Sequence, residues 1–190
     1  MRALLILLVT SAFLGAKPAE LPTVDQAEAR KAFEYLNQIR KQPLAYYQKL
    51  KFSPTQVVAR PALIWNDTLA RVAERKALDM AKRNYYKHVD PDGFGMNHFM
   101  EQAGYKLDPL WLQTPDANNF ESIAADRATG IDMIECMIVD AEVESKGHRK
   151  HLLGIGDWYG SFVDIGIGFA RADSSAQYST YACVLIAKHQ

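Results

Sequence analysis

The hydrophobic pattern of this chain of 190 residues changes period once along its length. Over the first two thirds, apolar residues recur about every three to four positions, which is the spacing of amphipathic helices. In the last third, residues 162–170 and 178–187 alternate or run apolar and are rich in β-branched and aromatic residues, which favours strands. Helices followed by strands predict an α+β fold with a small antiparallel sheet flanked by helices.

Helical spacing covers several segments, and capping residues or breakers mark most of their ends. In the clearest of these helices, Lys76 falls within the apolar stripe, so we expect it to lie at the edge of that stripe or to extend outward. The pattern predicts helices from Asp25 to Pro43, from about Asn66, from Met96 to Ala103 before Gly104, and over 126–141.

The N-terminus has the pattern of a signal peptide. Arg2 precedes an uncharged apolar run at residues 3–15, and Lys17 follows it. That run of about 13 residues is typical of a signal-peptide core and short for a membrane span. We therefore expect a signal peptide at 1–16, a lead-in at 17–29 and one domain at 30–190, in a protein that is secreted or periplasmic. No other apolar run is long enough to span a membrane, so we expect no stable span after cleavage.

Charge and cysteine content exclude some classes of protein. Lys plus Arg and Asp plus Glu are balanced at 22 each, so no bulk charge favours nucleic acid, and we expect no nucleic-acid partner. Cys136 and Cys183 are the only cysteines, which are too few for a disulfide scaffold. Export permits a disulfide between them, but two buried free thiols are an equally open interpretation.

The residues that could take part in binding or catalysis lie in four short segments: HVDPDG at 88–93, NFESI at 119–123, MIVD at 137–140 and SKGHRKHLL at 145–153. Each is weak alone, since a histidine in a turn or an acid near a helix end is usually solvated. In order, and with the run from Trp65 to Gly93 and the later DIGIGFA, they resemble the CAP superfamily of cysteine-rich secretory proteins, antigen-five allergens and pathogenesis-related class 1 proteins. The likeness covers about residues 30 to 187 and is greatest to the compact bacterial, exported SCP-like branch.

The resemblance implies a three-layer α-β-α sandwich with a cleft that holds two histidines and two acids. His88 matches the first histidine, and His148 matches the histidine of the GHR segment. Glu121 matches the first acid, although the family's neighbouring Gly and Asn are missing here. Asp140 stands where the family usually has Glu, and nearby acids are its rivals: Glu135, Glu142 and Glu144.

Such a set of side chains permits several kinds of chemistry. Two imidazoles and two carboxylates suit zinc or another divalent metal with water in an open position. The same groups could instead perform acid–base chemistry without a metal, or only hydrogen-bond one another. We expect a binding module for a metal or small ligand, with a protein partner. The alternatives are a metal-assisted hydrolase or peptidase and a carrier of lipid or sterol.

Secondary candidates lie beside these residues. His151 is three residues after His148, so a helix would place the two on one face. Tyr86 precedes His88, and Trp111 lies in the irregular stretch 105–119, where it could line an apolar groove or pack as a lid over the core. A basic cluster surrounds His148, and we expect it to be solvated: Lys146, Arg149 and Lys150.

Overall fold

The computed structural model describes residues 21–173 and 175–188. The predicted signal peptide at 1–16 lies outside the described residues. No helix within the described part of the chain is long and apolar enough to cross a membrane. The helices are α1 (Gln26–Lys41), α2 (Asp67–Arg83), α3 (Met96–Gln102), α4 (Gly130–Val139), α5 (Gly147–Leu153) and α6 (Gly156–Gly160). The strands are β1 (Thr23–Val24), β2 (Ile64–Trp65), β3 (Glu121–Ala125), β4 (Asp164–Arg171) and β5 (Thr180–Ala187).

The sheet is built around the two strands that the sequence predicts. β4 and β5 pair along their whole length, and almost all of their residues are buried. The strand order is β1-β4-β5-β3 with antiparallel pairing, and the two-residue β2 pairs parallel to β4. β3 therefore lies at an edge of the sheet, which matters for the site. The α+β prediction is confirmed.

Helix α2 lies against one face of β4 and β5, and glycines allow the approach. A Cβ atom at Gly166 would lie 2.2 Å from Ala70 N, and one at Gly168 would lie 2.2 Å from Ala73 O. On the opposite face, α5 reaches the sheet through a hydrogen bond between His151 and Ser122. Helices α1 and α4 pack against each other. The predicted sandwich of helices on both faces of a small sheet is confirmed.

The ends of the elements differ from the sequence prediction where no strong pattern exists. β1 and β2 have two residues each and are too short to produce an alternating pattern. β3 is not predicted from the sequence, because its residues, Glu121–Ala125, show no alternation of polar and apolar side chains. That helix, α4, begins at Gly130 and not at 126, because Thr129 caps it by accepting a hydrogen bond from Asp132 N. α1 begins at Gln26, within the segment that we assigned to the lead-in.

Because α2 lies so close to β4, a methyl group added at a glycine of β4 should destabilise the protein. We expect Gly168→Ala to lower the free energy of unfolding by at least about 2 kcal/mol, because backbone atoms of α2 occupy the space. Gly147→Ala is the control, since its added carbon would meet only Ser145 Oγ at 3.6 Å. Urea denaturation of both variants measures the difference. Equal stabilities would contradict the packing described here.

Candidate functional site

His88 lies in the turn after α2, and buried Lys76 holds that turn in place. Asn84 ends α2 in the left-handed conformation at φ 53°. The Lys76 ammonium donates hydrogen bonds to the carbonyls of Lys87 at 2.9 Å and His88 at 2.8 Å. The expectation that Lys76 extends outward is therefore wrong: the residue is 3% exposed and points to the turn. These turn carbonyls have no hydrogen-bond partner in a helix or strand, and they compensate for the burial of the Lys76 charge.

Glu121 at the start of β3 receives the ring of His88. Nδ1 of His88 lies 2.7 Å from Glu121 Oε2, which also accepts from Asn118 Nδ2 at 2.8 Å. The other oxygen, Oε1, faces Cys183 Sγ at 3.5 Å. Burial raises the pKa of the Cys183 thiol well above its ordinary value, so the thiol stays protonated and donates. The Glu121 side chain is fully buried, whereas that of His88 is about half exposed.

Asp140, at the junction of α4 and α5, orients the ring of His148 as Glu121 orients that of His88. It ends α4 in the left-handed conformation at φ 48°. Its Oδ1 lies 2.8 Å from His148 Nδ1, and its Oδ2 accepts from the backbone N–H groups of His148 at 3.1 Å and Arg149 at 3.4 Å. The carboxylate thus supplies acceptors for the first N–H groups of α5 and orients the ring at the same time.

The Arg149 guanidinium fixes this junction from the inside. It donates to the carbonyls of Ile138 at 2.6 Å and Val139 at 2.6 Å, which are left open where α4 ends. The expectation that Arg149 belongs to a solvated basic face is wrong, because the residue is buried. Lys146 also turns back and donates to the Asp140 carbonyl, and Lys150 alone of that cluster is fully exposed.

The two histidines are therefore oriented in the same way. A carboxylate oxygen only accepts, so each Nδ1 carries the proton and donates it to Glu121 or Asp140. Neither Nε2 atom has a hydrogen-bond partner among the described residues. A neutral ring in this tautomer presents the Nε2 lone pair, which is the form that binds a metal or accepts a ligand proton.

The carboxylates of Glu121 and Asp140 are engaged in hydrogen bonds within the protein. Every oxygen of Glu121 and Asp140 already accepts a hydrogen bond, and both side chains are almost fully buried. Within the described residues, no group of three or more His, Cys, Asp or Glu side chains is arranged to hold a metal ion. The donors that remain open for a metal are the Nε2 atoms of His88 and His148, because the carboxylates are engaged with the rings.

The rival acids do not reach His148. Glu135 pairs instead with Lys49 and accepts from the Tyr35 hydroxyl at 2.6 Å. Glu142 and Glu144 are exposed after α4. Asp140 is the acid that contacts His148.

His151 lies close to the cleft but its ring is closed off. Its Nε2 donates to the Ile186 carbonyl at 3.1 Å, so its Nδ1 accepts from Ser122 Oγ at 2.8 Å. Burial lowers the pKa of His151 to about 4, and nearby His148 and His88 contribute in the same direction. His151 is neutral at ordinary pH, has no nitrogen left for a metal, and joins α5 to the sheet.

A groove with a volume of about 690 Å³ runs from His148 along β3 and α4. Tyr86 lines it, and the Tyr86 hydroxyl donates to the Ile123 carbonyl at the sheet edge at 3.1 Å. Burial raises the pKa of Tyr86 to about 12. Trp111 lies elsewhere: its ring packs edge-on against Phe120 at 5.0 Å and Trp158 at 5.4 Å. Trp111 covers the core, as the lid interpretation expects.

Several residues that hold the site were not found from the sequence. Asn118 and Cys183 act on Glu121 from a loop and from β5, and nothing in their spacing indicates this contact. Lys76 and Arg149 had a usable signal, because each is a charged residue within an apolar helical stripe or beside one. Both cysteines are free, with Cys136 half-buried, so the disulfide alternative is not realised in this structure.

Comparison with known proteins decides the family. The model of the Cysteine-rich secretory protein family, CAP, matches residues 33–185. The chain belongs to the CAP family. The matched range contains all of the cleft residues described above and most of the domain predicted at 30–190. Among curated proteins, no sequence matches significantly.

Solved structures share the CAP fold. An extracellular protein containing an SCP domain from Bacillus anthracis str. Ames aligns with a TM-score of 0.55 and 21% identity, over 86% of this chain and 41% of that one. An outer surface protein from Borrelia burgdorferi aligns with a TM-score of 0.53 and 14% identity, over 87% of this chain and 95% of that one. This CAP chain thus spans about two fifths of the Bacillus protein's length. At these identities the likeness shows the fold alone.

The closed environment of His151 predicts a dependence of stability on pH. Because its folded pKa of about 4 lies below the ordinary 6.5, the unfolded chain binds a proton that the folded protein does not. The free energy of unfolding should therefore fall on acidification, by roughly 1 to 2 kcal/mol between about pH 6.5 and pH 5. Urea denaturation at each pH measures it.

His151→Gln is the matched variant for this prediction. The glutamine retains an N–H donor but cannot titrate in this range. We expect the variant to be less stable at neutral pH and to lose most of the fall in stability between about pH 6.5 and pH 5. Parallel curves for the two proteins would contradict the assignment of this pH dependence to His151, because all other titrating groups are common to both.

Proposed function

We propose that this protein is an exported binding module whose cleft holds a divalent metal ion or a small ligand through His88 and His148. One observation supports this most. Two buried carboxylates, Glu121 and Asp140, fix the two rings through Nδ1, so that both unpartnered Nε2 atoms are available for the same kind of contact. Hydrogen bonds of this type set the tautomer and the ring direction of metal-binding histidines.

Zinc is the metal that this donor set suits best. Imidazole nitrogen is a preferred zinc ligand, and zinc tolerates a site in which water or a bound ligand completes four-fold coordination. Bound there, zinc would supply a positive charge that polarises a carbonyl or phosphoryl oxygen of a ligand. The chain's own residues would bind and orient it: the imidazoles by their Nε2 atoms, and the carboxylates by holding the rings.

The proposal favours binding over hydrolysis. Proton transfer by Glu121 or Asp140 would need a free carboxylate oxygen, and attack by Cys183 would need an ionised thiol. The oxygens of Glu121 and Asp140 all have partners, and the Cys183 thiol is buried with a raised pKa. The groove of about 690 Å³ offers space for a small ligand next to His148.

Export is the second part of the proposal. It is supported by the apolar run at residues 3–15 and by the two structural relatives, which are described as an extracellular and an outer surface protein. The expected mature protein begins at Lys17, after cleavage behind Ala16.

Zinc titration of the metal-stripped protein by calorimetry at neutral pH tests the site. We expect one ion per chain, with binding at least about tenfold weaker in both His88→Ala and His148→Ala, because each change removes one of two protein ligands. Glu121→Gln should weaken binding less than either, since the ring stays but loses its charged partner. His98→Ala is the control, because His98 stacks on Phe94 and contacts neither carboxylate.

Loss of binding in both histidine variants, with His98→Ala unchanged, would support the shared site. An affinity that is unchanged in either variant would show that the two histidines do not act on one ion. Absence of binding in the unmodified protein would overturn the metal proposal.

A further inference from the structure

A second cavity lies on the opposite side of the His88 turn, between the C-terminal half of α2, the turn at residues 90–94 and α3. Its volume is about 420 Å³, which lies within the range of small-molecule sites. None of its lining residues lines the groove beside His148. Its floor is apolar, and it is formed by Val72, Phe94, Met96 and Phe99.

Each acidic group of this cavity has one oxygen that accepts a hydrogen bond. Asp79 accepts from the Tyr85 hydroxyl at 2.7 Å, and Asp92 pairs with Arg83 at 2.6 Å. Asp90 accepts from the backbone N–H groups of Asp92 at 3.0 Å and Phe94 at 2.8 Å. These hydrogen bonds hold the three carboxylates in place in the walls of the cavity.

Arg75 is different, because its guanidinium is held only by an aromatic ring. It lies over the Phe99 ring at 4.7 Å, and no carboxylate of residues 21–173 or 175–188 lies within ion-pair distance of it. Beside it, His98 stacks on Phe94 at 4.3 Å with no hydrogen-bond partner in the described part of the chain. The cavity thus combines aromatic walls with one unpaired cation at its rim.

We propose that this cavity binds a small aromatic carboxylate. The planar guanidinium of Arg75 presents parallel N–H donors that match the two oxygens of a carboxylate. The ligand's ring would lie on the apolar floor against Phe94 and Phe99, where offset or edge-on ring contacts are favourable. His98 supplies one further N–H or acceptor nitrogen at the rim. This site does not depend on the metal proposed for the cleft.

Phenylacetate and its neutral counterpart phenylacetamide test the ligand class. Titration of each into the full chain, followed by ¹⁵N–¹H correlation spectra, should perturb amides of residues 72–79 and 93–102. We expect the carboxylate to bind about tenfold more tightly than the amide, because only the carboxylate pairs with the guanidinium. Arg75→Gln should reduce phenylacetate binding about tenfold and leave phenylacetamide binding unchanged.

A matched control separates the cavity from general charge. Lys82→Gln also removes one positive charge from α2 but lines neither cavity, so it should leave phenylacetate binding unchanged. The proposal is overturned if phenylacetate perturbs no amide in these two segments, if the amide binds as tightly as the carboxylate, or if Arg75→Gln and Lys82→Gln bind it equally.

Discussion

The contact between α2 and the sheet positions one half of the site. Because Gly166 and Gly168 have no side chain, the backbone of α2 lies directly on β4, and the helix can neither slide nor tilt without meeting the strand. The last turns of α2 then carry Lys76 to the carbonyls of the following turn. Pairing across the sheet places Glu121 and Cys183 on the same face as Gly168, so the strand side of the His88 contact is fixed by the same packing.

The other half of the site is set by a helix end and not by the sheet. Asp140 adopts a left-handed conformation that stops α4, and its carboxylate then accepts from the first N–H groups of α5. Arg149 occupies the carbonyls that the end of α4 leaves open. A buried carboxylate with several donors is stable as an anion, since each donor offsets part of its desolvation. A buried carboxylate that accepts from Nδ1 therefore orients both His88 and His148, although the two carboxylates lie on different elements, β3 and the end of α4.

The sequence predicts the parts of this protein that repeat a pattern. The change of period gives α2, β4 and β5, and the glycines in DIGIGFA fit a close helix contact only once the register is known. β1 and β2 are too short to show alternation, and the residues of β3 do not alternate between polar and apolar side chains. The four cleft residues came from resemblance to a family, since no spacing connects His88 with Glu121 across 33 positions.

The roles of the charged residues could not be predicted in the same way. A sequence shows that Lys76 and Arg149 lie within or beside apolar stripes, but it does not show which carbonyl groups the loops leave without partners. For the same reason, only the structure shows that every oxygen of Glu121 and Asp140 accepts a hydrogen bond. This occupation of the oxygens leaves the Nε2 atoms of His88 and His148 as the open donors among these four side chains.

The tautomers of the histidines test the central claim most directly. Long-range ¹⁵N–¹H correlation spectra, recorded at about pH 8, distinguish Nδ1–H from Nε2–H rings. The account predicts Nδ1–H for His88 and His148, with His151 as the internal opposite, Nε2–H. If His88 and His148 instead carried their protons on Nε2, the carboxylates would not orient them as described, and the proposed site would lose its basis.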